Sequence, residues 1–192
     1  MKTLILVRHA KSSWKDTGLT DHERPLNKRG QIDAPRMGTL LCDHELIPQR
    51  ILSSTALRAR QTAQAICDVC GYLEEVTYLD QLYMAEVEEY ISVLRELPDS
   101  VERVMVIGHN PGLETLLQLL SGQIQSLPTA VIAHLVLPIH NWTELASETE
   151  GDLVEIWRPK EIFEKAAEET EQGHDNGKKK IKSDGKTKKK KK

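Results

Sequence analysis

The first apolar run of the chain is Thr3-Leu4-Ile5-Leu6-Val7, and it ends abruptly at Arg8-His9-Ala10. Its length and its branched residues are typical of a strand that is buried on both faces. Such strands occur mainly in parallel sheets, which helices cover on both sides. A second run, Arg103-Val104-Met105-Val106-Ile107, has the same character and is followed by Gly108-His109. We therefore predict two buried, parallel strands, each followed by a histidine.

Four further segments predict strands, at residues 50–53, 75–79, 130–137 and 152–157. The spacers show helical periodicity, which predicts helices over residues 27–44, 56–69, 87–97 and 113–120. Pro35 lies inside the first of these helices and should kink it or delay its start. Strands and helices alternate, so we predict an α/β fold, a three-layer α/β/α sandwich around a mostly parallel six-stranded sheet.

Charge is distributed unevenly along the 192 residues. Residues 1–159 carry 14 Lys and Arg against 22 Asp and Glu, whereas residues 160–192 carry 12 Lys against 7 acidic residues. The net charge of −3 therefore combines an acidic body with a basic tail. Almost all apolar residues lie in 1–159, which we predict to be one domain, and the acidic and then Lys-rich segment 160–192 is predicted to be disordered.

The lysine-rich end, residues 178–192, leaves three roles open: solvated disorder, nonspecific attraction to nucleic acid or an anionic surface, and specific docking. We expect no other nucleic-acid contact. No apolar stretch approaches the roughly eighteen residues of a membrane span, and residues 1–7 lack the features of a secretory signal. We expect a cytoplasmic protein without a membrane partner.

The three cysteines cannot all pair with one another. Cys67 and Cys70 have the spacing of half a zinc site, but the sequence contains no second pair to complete it. We therefore expect thiols that are buried or partly buried in the core, with no metal.

The residues that follow three predicted strands carry the chemistry. They are Arg8-His9, the segment Ser53-Ser54-Thr55-Ala56-Leu57-Arg58, and Gly108-His109-Asn110-Pro111-Gly112. Ligands of such sheets bind beyond the carboxyl ends of the strands. Guanidinium groups there gain little without an anion, and their planar donor fork matches phosphate oxygens. Arg58 would also lie in the first turn of a helix, whose dipole favours an anion.

Two histidines beside bound phosphate are suited to phosphoryl transfer. A neutral imidazole can attack phosphorus with one nitrogen while its other nitrogen donates a hydrogen bond to a carbonyl or carboxylate. The second histidine would stabilise charge on the equatorial oxygens. The sequence thus predicts a site for phosphoryl transfer at one edge of the sheet.

Four motifs, in order, resemble the histidine phosphatase superfamily, specifically its SixA-type phosphohistidine phosphatases. They are Leu6-Val7-Arg8-His9-Ala10, Arg24-Pro25-Leu26 with Arg29-Gly30, residues 53–63, and Gly108-His109-Asn110-Pro111-Gly112. The resemblance extends from residue 1 to about residue 157 and implies a phosphoglycerate mutase-like fold.

The resemblance implies that His9 is the nucleophile that becomes phosphorylated and that His109 is the second histidine of the pocket. It implies Arg8 and Arg58 as phosphate ligands, Arg24 as a contributor at the pocket edge, and neither a metal nor another cofactor. The residues themselves leave a second role open for Arg24, a surface ion pair with one of three carboxylates: Asp21, Glu23 or Asp33.

One departure concerns the leaving group. In mutases and many phosphomonoesterases of the superfamily a Glu protonates the leaving oxygen, whereas Gln81 occupies the comparable place here. Either Asp80 or Glu86 substitutes for it, or the substrate needs little acid help. A phosphohistidine fits the second case, because its imidazole departs readily.

We therefore expect a metal-independent phosphatase that removes phosphate from a histidine on a protein partner, such as a phosphotransfer domain. Two alternatives remain open. A small-molecule phosphomonoesterase of the same superfamily would need a working acid near Asp80 or Glu86. A noncatalytic polyanion binder would act through the lysine tail.

Overall fold

The structure, a computed structural model, describes residues 1–163. Within these residues six strands form one sheet: β1 (Lys2–Arg8), β2 (Arg50–Ser54), β3 (Thr77–Leu79), β4 (Arg103–Gly108), β5 (Ile132–Leu137) and β6 (Asp152–Trp157). Their order across the sheet is β3-β2-β4-β1-β5-β6. The neighbours from β3 to β1 are parallel, and β5 and β6 add two antiparallel pairs at one edge. The predicted mostly parallel six-stranded sheet is confirmed.

Four α-helices of the described chain connect these strands: α1 (Lys28–Asp43), α2 (Leu57–Cys70), α3 (Val87–Arg95) and α4 (Gly112–Ser121). Alternate side chains of β1 point to opposite faces of the sheet, as the pleat requires. Leu4 and Leu6, on one face, lie in the core cluster that includes residues of α3 and α4. Ile5 and Val7, on the other face, are also buried. α1 and α2 pack together as a separate pair. The predicted three-layer sandwich is confirmed.

Helix α1 begins well before Pro35, so of the two expected effects, a kink or a late start, the late start is wrong. The Asn27 side chain caps the helix by accepting a hydrogen bond from the Gly30 amide at 2.9 Å. Proline lacks the amide that would donate to the carbonyl of Gln31. Because Gln31 is exposed, solvent can reach that carbonyl, and the helix tolerates the missing bond.

Residues Met1–Arg158 form one compact unit. From residue 164 onward the predicted tail lies outside the described residues, so its disorder and its possible roles stay predictions. Within residues 1–163, no helix has the length and apolar character needed to cross a bilayer.

Candidate active site

The parallel pairing of β1 and β4 brings the two predicted histidines together. Arg8 lies opposite Gly108 in the register, so His9 and His109 leave the sheet side by side. The His9 amide donates to the Gly108 carbonyl at 3.2 Å, and the two imidazole rings have centroids 5.0 Å apart. Arg58, in the first turn of α2, completes the cluster with only 3% of its surface exposed. Three residues far apart in sequence therefore meet at one edge of the sheet.

The hydrogen bonds of His9 define its tautomer. Its Nδ1 lies 2.8 Å from the carbonyl oxygen of Ala10, which can only accept, and the Arg58 Nε lies 3.2 Å from its Nε2. Arginine can only donate, so Nε2 carries the lone pair and Nδ1 carries the proton. Burial, and secondarily the charge of Arg58, lower the pKa of His9 to about 4. At neutral pH the ring is uncharged, and the nitrogen available to act as a nucleophile is Nε2, whose lone pair accepts the bond from Arg58.

In His109 the two ring nitrogens exchange the roles that they have in His9. Its Nδ1 accepts from Nη2 of Arg58 at 3.3 Å, so its Nε2 carries the proton and donates to Ser54 Oγ at 2.8 Å. Burial, followed by the neighbouring His9 and the charge of Arg58, lowers the pKa of His109 to about 3. Both pocket histidines are therefore neutral at physiological pH, and each presents an acceptor nitrogen to Arg58.

Arg8 also lines the pocket. Its Nη1 donates to the carbonyl of Leu127 at 2.7 Å, which fixes the direction of the guanidinium group. Its buried Nε has no hydrogen-bond partner among the described residues. A buried donor without a partner is costly unless a ligand satisfies it. The predicted role of Arg8 as a phosphate ligand is compatible with this free donor.

Arg24 lies in the pocket lining and also forms one of the ion pairs that the sequence left open. It lines the pocket and is 7% exposed, with its guanidinium carbon 3.2 Å from the centre of the exposed Trp14 ring. Its Nη1 pairs with Asp21 at 2.6 Å, and its Nη2 donates to Ser12 Oγ. The other two carboxylates considered as partners bind elsewhere: Asp33 to Arg29, and Glu23 to Thr20.

Asp21 is the principal residue that sequence reasoning missed. Its Oδ2 accepts from Arg58 Nη2 at 2.9 Å and from the Tyr83 hydroxyl at 2.8 Å, and its Oδ1 binds Arg24. Although partial burial opposes the shift, the bond from Tyr83 and the charge of Arg58 lower the pKa of Asp21 below its usual range. The carboxylate is therefore ionised. The sequence placed Asp21 near Arg24, but gave no signal that the loop would carry it to Arg58.

The cavity around these side chains has a volume of about 430 Å³. Arginines and histidines line its floor, and Lys11, Trp14, Tyr83 and Met84 also contribute to its wall. Asp21 is the one carboxylate among the lining residues. Within residues 1–163 no group of three or more His, Cys, Asp or Glu side chains is arranged to hold a metal ion.

The candidate acids from the sequence lie outside this lining. Asp80 accepts a hydrogen bond from Thr55 Oγ1 at 2.6 Å, and Glu86 caps the N-terminus of α3. Gln81 does not line the cavity either. Neither carboxylate considered as a substitute is among the side chains that line this cavity.

Comparisons with known proteins agree with this geometry. A profile of the histidine phosphatase superfamily (branch 1) matches residues 4–88. An uncharacterized chloroplastic protein of Arabidopsis thaliana is 37% identical over 153 residues, which cover 74% of this chain and 70% of that protein. The solved structure of a candidate phosphohistidine phosphatase SixA from Agrobacterium tumefaciens is 31% identical, with a TM-score of 0.71 over 82% of this chain and 98% of that one. The chain belongs to the histidine phosphatase superfamily.

Within the histidine phosphatase superfamily, the fold is shared with SixA proteins. The protein histidine phosphatase SixA, solved with tungstate, has a TM-score of 0.72 at 23% identity over 83% of this chain and 99% of that one. That likeness concerns the fold. The family profile and the 31%-identical SixA structure support a hydrolase of the phosphatase class.

Proposed function

We propose that the protein is a metal-independent phosphohistidine phosphatase that removes phosphate from a histidine of a partner protein through a covalent intermediate at His9. The observation that carries the proposal is the contrast between His9 and Asp21. His9 offers an unprotonated Nε2 at neutral pH, whereas the one carboxylate on the pocket wall is ionised and held by two arginines.

In the first step, Nε2 of His9 attacks phosphorus and forms a new P–N bond. The bond from phosphorus to the substrate imidazole breaks, and that imidazole leaves with the electron pair. The proton on Nδ1 stays in its hydrogen bond to Ala10, which keeps the ring oriented and stabilises its growing positive charge. Arg58 and the unpartnered Nε of Arg8 would hold the phosphoryl oxygens.

In the second step, water attacks the phosphoryl group, and the electron pair of the P–N bond returns to Nε2 of His9. Inorganic phosphate leaves, and the neutral histidine is restored. His109 contacts Arg58 through Nδ1, so we propose that it orients this guanidinium and lies beside the transferred group. Positioning and fixed positive charge supply most of what phosphoryl transfer requires of a protein.

The leaving group decides the substrate class. An alkoxide needs a proton as it departs, and ionised Asp21 cannot supply one. The imidazole of a phosphohistidine is a good leaving group once solvent protonates it, so it does not require an acid on the pocket wall. A histidine phosphorylated on a protein, such as one in a phosphotransfer domain, is the partner we propose.

The proposed compartment is the cytoplasm. The A. thaliana relative carries the designation chloroplastic, so localisation of the tagged full chain by microscopy is the direct check on that part of the proposal.

The test compares a phosphotransfer protein phosphorylated on histidine with a simple alkyl phosphate. We expect a kcat/KM about 10²–10⁴-fold higher on phosphohistidine, given what removal of general-acid help costs on an ester. An acid-labile phosphoenzyme should be trapped in the wild type and be absent from His9→Ala. Equal turnover of both substrates would instead favour the small-molecule phosphomonoesterase. Absence of turnover, with polyanion binding that survives His9→Ala but not deletion of residues 160–192, would favour the noncatalytic polyanion binder.

A further inference from the structure

Two cysteine thiols meet outside the active site. Cys42 lies in the last turn of α1 and Cys70 is the last residue of α2, and their sulfur atoms are 2.7 Å apart. This separation is only about 0.7 Å longer than the sulfur–sulfur bond of a disulfide. The sequence spacing draws attention to Cys67 and Cys70, but the fold brings Cys42 to Cys70 instead.

Close packing of the two helices produces this contact. A Cβ atom at Gly38 of α1 would lie 3.0 Å from the Cα of Ile66 in α2 and would overlap the Val69 side chain at 2.5 Å. Glycine at this position therefore lets the helix backbones approach closely. The Cys70 thiol donates to the Gly38 carbonyl at 3.2 Å, and the Cys42 thiol donates to the Cys70 sulfur.

The three thiols differ in accessibility. Cys42 and Cys70 are partly exposed, whereas Cys67 is 7% exposed. Burial raises the pKa of Cys67 to about 11, and burial together with the adjacent Cys42 raises the pKa of Cys70 to about 12. The thiolate is the reactive form of cysteine. Cys42 and Cys70 are therefore open to an external reagent, and each lies within reach of the other, whereas Cys67 is enclosed.

We propose that Cys42 and Cys70 are a reversible oxidation site that forms an intramolecular disulfide by exchange with a small-molecule disulfide. The Cys42 thiolate attacks one sulfur of the reagent, which forms a mixed disulfide and releases one thiolate. The Cys70 thiolate then attacks the Cys42 sulfur, and the second reagent thiolate leaves. The two cysteines give up two electrons and two protons, and the reagent is reduced to two thiols.

The bond would join the two helices at the ends remote from the pocket. Arg58 and Cys70 lie at opposite ends of α2, about 18 Å apart along the helix axis. The disulfide closes a loop between positions 28 residues apart, which restricts the unfolded chain and raises the unfolding temperature. This site stands independently of the proposed phosphohistidine activity.

The test incubates the reduced full chain with oxidised glutathione and then alkylates the remaining thiols. We expect the mass of the protein to fall by two hydrogens, one thiol of three to remain alkylatable, and a peptide joining Cys42 to Cys70 after digestion. Dithiothreitol should restore all three thiols. The unfolding temperature should be higher for the oxidised wild type than for its reduced form.

Two single variants distinguish a disulfide between Cys42 and Cys70 from one that involves Cys67. Cys67→Ser should form the same disulfide, and Cys42→Ser should keep one unfolding temperature with and without oxidant. A disulfide between Cys67 and Cys70, a disulfide-linked dimer, or a stable glutathione adduct at Cys42 would each overturn the proposal. If the wild type keeps three alkylatable thiols after incubation with oxidised glutathione, the folded chain does not react with the reagent, and the proposal is likewise overturned.

Discussion

The carboxylate of Asp21 lies 2.9 Å from the guanidinium of Arg58, and its other oxygen binds Arg24. The two arginines repel one another, and the carboxylate between them offsets that repulsion. The Tyr83 hydroxyl holds the same carboxylate at 2.8 Å. Asp21 therefore organises the positively charged wall of the pocket from a loop that precedes α1.

Substitution of Asp21 should weaken phosphate binding more than it slows the chemical step. In Asp21→Ala, Arg58 and Arg24 lose the carboxylate that fixes their directions, so we expect KM to rise at least about tenfold, as the loss of a charged hydrogen bond does, while kcat changes less than threefold. Asp21→Asn keeps one acceptor oxygen and should recover part of the effect. Steady-state kinetics on phosphohistidine, with tungstate binding as a second readout, checks this.

If Asp21 were instead a general acid, its substitution would change kcat more than KM. Loss of the acid would lower kcat, with a larger loss on an alkyl phosphate than on phosphohistidine. Glu23→Ala is the matched control, because Glu23 lies two residues away and binds Thr20 outside the pocket.

Arg58 should be essential, whereas its neighbour Arg60 should not. Arg58 donates to both pocket histidines and to Asp21, so Arg58→Ala should lower kcat/KM by about 10²–10³, as the loss of a preorganised donor does in other enzymes. Arg60 is exposed on the same helix and lies over the Tyr78 ring. Arg60→Ala should retain nearly full activity. Comparable losses in both variants would point to damage to α2 and would contradict the assignment.

The positions of the principal site residues could be predicted from the sequence because strand ends are local features. His9 and His109 directly follow two apolar runs, and parallel pairing places the ends of such runs at one edge of a sheet. Asp21 could not be placed, because its contact with Arg58 spans 37 positions and depends on the path of an irregular loop. The pairing of Cys42 with Cys70 was missed for a related reason, since it depends on how closely two helices pack.

Of the two effects expected of Pro35, the late helix start did not occur, for a different physical reason. The expectation of a late helix start treated the missing amide as decisive. In the structure the Asn27 cap begins the helix earlier, and the carbonyl left without a donor belongs to an exposed residue, Gln31. Sequence rules for proline do not include the solvent exposure of this carbonyl, because that exposure depends on how the helix packs.

The hydrogen bond from His109 to Ser54 should matter for both catalysis and stability. In Ser54→Ala the Nε2–H of His109 loses its buried acceptor, which costs about 1–3 kcal/mol of unfolding free energy. The ring can then adopt the other tautomer, whose Nδ1–H no longer accepts from Arg58, so we expect kcat/KM to fall about tenfold. Ser53→Ala is the control, because Ser53 is equally buried but its hydroxyl donates to the Ser54 carbonyl. Equal kinetic effects of the two substitutions would rule out a specific role for this bond.

The low pKa values of His9 and His109 should make the protein less stable in mild acid. In the unfolded chain each histidine titrates near its ordinary pKa of about 6.5, whereas in the folded chain the values are about 4 and about 3. Between these values the unfolded chain binds more protons, so protonation favours unfolding. The stabilisation is fully present well above pH 6.5 and is lost as the pH falls through about 4 for His9 and about 3 for His109. Between pH 6 and pH 5 the two sites together should lower the free energy of unfolding by about 2 kcal/mol.

Denaturant titrations at several pH values measure this dependence directly. His109→Asn removes one of the two buried titrating rings, so the decrease in unfolding free energy between pH 6 and pH 5 should be about half that of the wild type. The comparison uses the change in unfolding free energy with pH, so a loss of stability that is the same at every pH does not affect it. If the dependence of the unfolding free energy on pH is unchanged in the variant, His109 takes up its proton equally in the folded and unfolded chains. That result would contradict the conclusion that His109 is neutral in the folded pocket.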